Sequence, residues 1–98
     1  MKRAFMVEFE LPEVLTEEFL NLVPQQRFVI NKMLSDGQLK SYSLSMDRST
    51  LWAVMTATSE FEVMELITQM PLCDYMTPHV SELMFHNGAE TITQFSLN

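Results

Sequence analysis

Two glycines, one cysteine and no basic run longer than Lys2-Arg3 mark what this 98-residue chain goes without. Gly37 and Gly88 stand alone, so there is no glycine-rich loop whose backbone amides could cradle a phosphate. Cys73 excludes an intramolecular disulfide, and such sparse cysteine usage points to a reducing, cytoplasmic setting. With no basic group near it in sequence, its thiol reads as inert and partly buried. Six basic residues against thirteen acidic ones give a net charge of −7, and without clustered Lys and Arg nucleic acid is excluded as a partner. Long apolar runs are missing too. The stretch Ala4–Val7 is broken by Glu8, so it reads as neither a signal peptide nor a membrane span. Metal-ligand spacings of His, Cys and Asp are absent, as are Ser-His-Asp arrangements, and no metal or other cofactor is expected.

What is present is apolar: 47% of residues are hydrophobic and nine are methionine. The length suits one domain over 1–98, with a core over about 4–87 and a tail over 88–98. So small a chain buries only about 60–70% of its unfolded surface. Part of the apolar surface is therefore expected in a subunit interface, in a homodimer or a larger ring.

Alternation predicts a first strand over Ala4–Leu11, with Phe5, Val7, Phe9 and Leu11 on one face and Glu8 and Glu10 on the other. Thr16 then caps a helical pattern in which Phe19, Leu22, Val23, Val29, Ile30 and Met33 share a face; Pro24 is expected to kink or split it. Asp36-Gly37 closes that helix. Gln38–Met46 and Leu51–Thr58 read as strands joined through Asp47-Arg48-Ser49, the second of them central, with Trp52 in the core. Ser59 and Glu62 form a capping box for a second helix, whose stripe is Val63, Leu66, Ile67 and Met70, and Pro71 stops it. A last strand is expected over Val80–His86. The order β-α-β-β-α-β predicts a ferredoxin-like α+β fold: a four-stranded antiparallel sheet with both helices on one face, strands one and three central, and strand four beside strand one.

The segment Met70-Pro71-Leu72, then Tyr75-Met76, then a strand with Val80 and Leu83 that ends in His86, resembles the muconolactone isomerase family. The Leu11-Pro12 end of strand one fits that pattern as well. The resemblance implies a dimeric α+β barrel, in which a second subunit covers the sheet face that the helices leave open. It also implies a cofactor-free reaction that moves a proton between two carbons of a small unsaturated lactone or organic acid. Such a reaction needs a base and donors for a dienolate oxygen. The chain departs from the family's basic, aromatic second strand with Lys40-Ser41-Tyr42-Ser43-Leu44-Ser45. It departs again at Pro78-His79, where the pattern is acidic.

Strand parity suggests that Glu8, Glu10, Glu82 and His86 share the open face, with Glu8 opposed to Glu82. Two opposed carboxylates repel, so one could hold its proton near neutrality and serve as a base. The catalytic candidates are therefore Glu8 as base, with Glu82 and His86 setting its charge and holding the oxyanion; the other reading is a solvated acidic face. Tyr42, Tyr75 and His79 are the candidate substrate-binding residues, although packing is the favoured role for Tyr75 and a strand-end position the favoured one for His79. An anionic substrate requires Lys40, Arg27 or Arg48 to reach the pocket. Against the isomerase stands a non-catalytic ligand-binding or oligomerisation module on the same fold.

Overall fold

Phe5, Val7 and Phe9 are fully buried while Glu8 and Glu10 are exposed, the alternation imposed on a strand packed on one face only. The computed structural model, which describes residues 1–89, builds this strand as β1 (Arg3–Glu10). It is followed by α1 (Glu17–Ser35), β2 (Leu39–Leu44), β3 (Thr50–Ala57), α2 (Glu60–Thr68) and β4 (Thr77–Glu82). The antiparallel sheet has the order β2-β3-β1-β4, so β1 and β3 are central, and the fold is the ferredoxin-like α+β arrangement expected. Phe19, Ile30 and Met33 from α1, with Val63, Leu66 and Ile67 from α2, join Phe5, Val7 and Phe9 in one buried cluster. Both helices thus cover one sheet face. The tail expected over 88–98 falls mainly on residues outside the described ones. Among the described residues no helix is long and apolar enough to cross a membrane.

The caps are local. Thr16 Oγ1 accepts from the Phe19 amide at 3.2 Å, and Ser59 Oγ from the Glu62 amide at 3.1 Å. The second half of the expected box is replaced: the Glu62 carboxylate accepts from the Thr58 hydroxyl at 2.7 Å. α1 is not split at Pro24 but runs through it as one helix. The bond lost with the missing proline N–H is offset by packing on both sides, at Phe19 before it and Ile30 and Met33 after it. Gly37 ends the turn beyond α1 at φ 80°, the left-handed conformation that glycine tolerates best.

β2 carries a bulge. Leu39 lies opposite Met55 and Ser41 opposite Val54, so Lys40 is an extra residue against β3. Leu39 and Tyr42 consequently both face the helices although they are three apart. Past Leu44 the hairpin closes through Asp47, whose carboxylate accepts from Ser45 Oγ (2.7 Å), the Ser49 amide (3.0 Å) and Ser49 Oγ (2.7 Å).

β4 differs from the sequence expectation in both extent and parity. It runs over Thr77–Glu82, not Val80–His86. Glu82 lies opposite Phe5, Val80 opposite Val7 and Pro78 opposite Phe9, which puts these three on the helix side. His79 and Ser81 join Glu8 and Met6 on the open face. The cause is which apolar residue anchors an edge strand. Val80 packs against the core, whereas Met84 and Phe85 come after the strand and are exposed.

Candidate functional site

The three residues expected to form a catalytic group are not brought together. Glu8 sits on the open face, where its Oε1 accepts from Trp52 Nε1 at 3.0 Å and its β4 neighbour is His79. Glu82 lies on the opposite face and pairs with Arg3 at 3.2 Å; Arg3 also donates to the Thr58 carbonyl at 2.8 Å. His86 is exposed beyond the end of β4. Glu8 and Glu82 therefore do not oppose each other, and their mutual repulsion supplies no proton-holding carboxyl. Trp52 is also displaced from its expected core position: it lies opposite Glu8 on the open face and is exposed there.

His79 stands within β4 rather than at a strand end, and its Nε2 meets Glu10 Oε2 at 2.5 Å. The side chains of this pair are 58% and 63% exposed, so water screens the interaction. Tyr75 packs: its ring meets Phe19 edge-on, with centroids 5.6 Å apart and an interplanar angle of 86°. Burial, reinforced by Asp74, pushes the Cys73 thiol above its ordinary value, which keeps it protonated and unreactive.

A concavity lies on the other side of the sheet, between α1 and the strands. It is a cavity of about 670 Å³, within the span of small-ligand sites. Leu11, Leu15, Phe19, Val23, Ile30 and Leu51 give it apolar walls. Leu20, Leu34 and Leu44, exposed large hydrophobics elsewhere unexplained, also line it.

One polar knot is built into these walls. Gln26, 3% exposed, accepts from the Leu72 amide at 3.0 Å through Oε1 and donates from Nε2 to Tyr42 Oη at 3.1 Å. The Leu72 amide can only donate, so the Gln26 amide has one permitted orientation and its NH₂ must point at Tyr42. Tyr42 thereby uses its oxygen as acceptor, and its own O–H has no other partner among the described residues. Burial pushes the Tyr42 hydroxyl above its ordinary value of 10, against a smaller lowering by Gln26. The group is a neutral donor across the physiological range.

Arg27, Asn31 and Arg48 complete the lining. Neither arginine has an ion-pair partner among the described residues, and no described carboxylate or imidazole lines the cavity. Lys40, at the bulge, is not part of the lining. Among the described residues no three His, Cys, Asp or Glu side chains are grouped so as to hold a metal ion.

Sequence reasoning singled out Tyr42 but missed Gln26. The signal was there, since Gln26 interrupts the apolar stripe of α1 between Val23 and Ile30, and a polar residue on a buried face needs a partner. No curated protein matches the chain. The profile of the muconolactone delta-isomerase family matches residues 4–89. That match runs from β1 through both helices to the end of β4 and beyond, and it makes the chain a member of the muconolactone delta-isomerase family.

Proposed function

We propose that the chain takes a small unsaturated lactone or organic acid into the cavity between α1 and the sheet and shifts a proton within it without a cofactor. Family membership supports the reaction class. The observation that carries the location is the unshared Tyr42 O–H, held in place by Gln26 inside an apolar cavity of about 670 Å³. A hydrogen-bond donor held in a fixed orientation stabilises negative charge developing on a ligand oxygen, which is what a dienolate requires. Arg27 and Arg48 give a net-acidic chain the cations needed to admit an organic anion.

The base is the remaining role. Glu8, Glu10 and His79 stand across the sheet, on the face that a second copy would cover in a dimeric barrel. From there Glu8, the base expected from the sequence, cannot reach a ligand held in the cavity, and neither Glu82 nor His86 lines it, so the base is left unassigned among the described residues. The second reading, a non-catalytic ligand-binding module, is favoured by one observation: no described carboxylate or imidazole lines the cavity.

The test is proton exchange into a butenolide acid in D2O, followed by NMR, for the wild type, Tyr42→Phe and Glu8→Gln. Exchange that falls at least about tenfold in Tyr42→Phe is the expected result, since loss of a hydrogen bond to developing charge costs that much or more. Exchange unaltered by Tyr42→Phe overturns the cavity as the reaction site. Binding without exchange selects the second reading, and exchange lost in Glu8→Gln but kept in Tyr42→Phe would move the reaction to the open face.

A further inference from the structure

We propose that the tip of the β2–β3 hairpin is the carboxylate-selecting element of the cavity, with Arg48 as the specificity-determining cation and Asp47 as its positioning residue. This rests on the reading of the cavity as the ligand site. Arg48 has φ 63°, the left-handed region where a side chain is crowded by the following carbonyl and where glycine is the usual occupant. Such a conformation persists only where the surroundings over-determine it. Here they do. Asp47 accepts three hydrogen bonds, from Ser45 Oγ, the Ser49 amide and Ser49 Oγ. Ser45 Oγ in turn accepts from the Thr50 amide at 3.1 Å. The Arg48 amide donates to the Ser45 carbonyl at 3.0 Å, and the Ser45 amide to the Thr50 carbonyl at 2.8 Å.

The turn could have been made with a glycine at this position at less strain. Instead it presents an arginine to the cavity alongside Leu44 and Leu51 of the flanking strands. Arg27 faces the same space from α1, so cations enter the lining from both walls. The chain carries thirteen acidic residues, yet none of the described ones lines this cavity. Positive charge without a partner, next to apolar walls, suits an anion with an apolar body. A guanidinium matches a carboxylate by two parallel hydrogen bonds, a geometry a lysine does not reproduce.

The experiment uses two probes that differ in charge and by one methyl group, a butenolide with an acetic acid side chain and its methyl ester, titrated calorimetrically into the full chain. The wild type is expected to bind the acid at least about tenfold more tightly than the ester, the effect of a hydrogen bond to a charged group. Arg48→Gly should keep its melting temperature, because glycine takes the turn's conformation, and should lose the preference for the acid while binding the ester unchanged. Arg48→Lys should recover only part of the preference. Asp47→Ala should weaken acid binding and leave ester binding alone. An acid preference that survives in Arg48→Gly, or equal binding of acid and ester by the wild type, overturns the assignment to the hairpin. If the wild type binds neither probe, the cavity reading itself fails. Weakening of both probes by Tyr42→Phe keeps that reading intact whichever way the hairpin result falls.

Discussion

The two faces of the sheet are built from the same strands and differ in almost everything else. Beneath the helices, Phe5, Val7, Phe9, Ala53 and Met55 are fully buried, and in the polar knot the Gln26 oxygen and nitrogen, the Tyr42 oxygen and the Leu72 amide each have a partner. On the other face, Glu8 with Trp52 and Glu10 with His79 form their contacts in exposed positions. Burial makes each polar contact below the helices consequential, because a lost partner there is not replaced by water. Above, water substitutes readily. The face richer in ionisable groups is thus the one whose groups matter less to a single chain.

Denaturant unfolding breaks this comparison most directly. Phe9→Ala is expected to cost about 3–5 kcal/mol, as for a fully buried aromatic whose cavity cannot collapse. Glu8→Gln should stay within about 0.5 kcal/mol, as surface substitutions do. A large, concentration-dependent loss in Glu8→Gln would show instead that a second copy seals the open face.

Gln26→Leu sharpens the comparison within the covered face. It strands the buried Leu72 amide and is expected to cost about 1–3 kcal/mol, whereas Tyr42→Phe leaves Gln26 a spare donor and should cost less. Equal losses in urea midpoint for the two variants would contradict the geometry of the knot. On the open face, Glu10→Gln should cost no more than about 1 kcal/mol, and the loss should shrink as salt is raised.

The smallest effect is expected at the hairpin, outside both faces. Hydrogen bonds from Ser45 and from the Ser49 amide and hydroxyl lower the Asp47 carboxyl from 3.8 to about 2. A carboxyl depressed in the folded state stabilises the fold above its unfolded value, and that contribution disappears as pH falls through the folded one. The Asp47 contribution should therefore be complete above 3.8 and fade towards about 2. An Asp47 side-chain NMR titration with a midpoint near the ordinary 3.8 would show that the turn is not closed in this way.

Local chemistry was readable from the residues. Thr16 and Ser59 announce helix starts, Gly37 announces an end, and the alternation from Phe5 to Phe9 announces a half-buried strand. The parity of β4 was not readable. Leu83, Met84 and Phe85 offer as much apolar character as Val80, and only the pairing with β1 decides which of them anchors the strand. The cavity was hidden for a related reason. Its residues come from Leu11, α1, the β2–β3 hairpin and Leu72, and no spacing along the chain expresses their meeting. Trp52 shows the limit of the central-strand argument: a strand can be central in a sheet and still have an uncovered side.

Lys40 acts on β2 through number rather than chemistry. By contributing a residue that β3 does not match, it sets the chain's reading frame for the rest of β2. Remove that one residue and the strand pairs regularly, with Leu39 and Tyr42 two apart and still facing the same way; it is flattening the bulge with Lys40 kept in the ladder that would turn one of them over. A substitution at this position should be tolerated, and so should its deletion. In an alignment of this family, a single gap at position 40 would thus mark a chain with a regular second strand that still presents this tyrosine to the cavity.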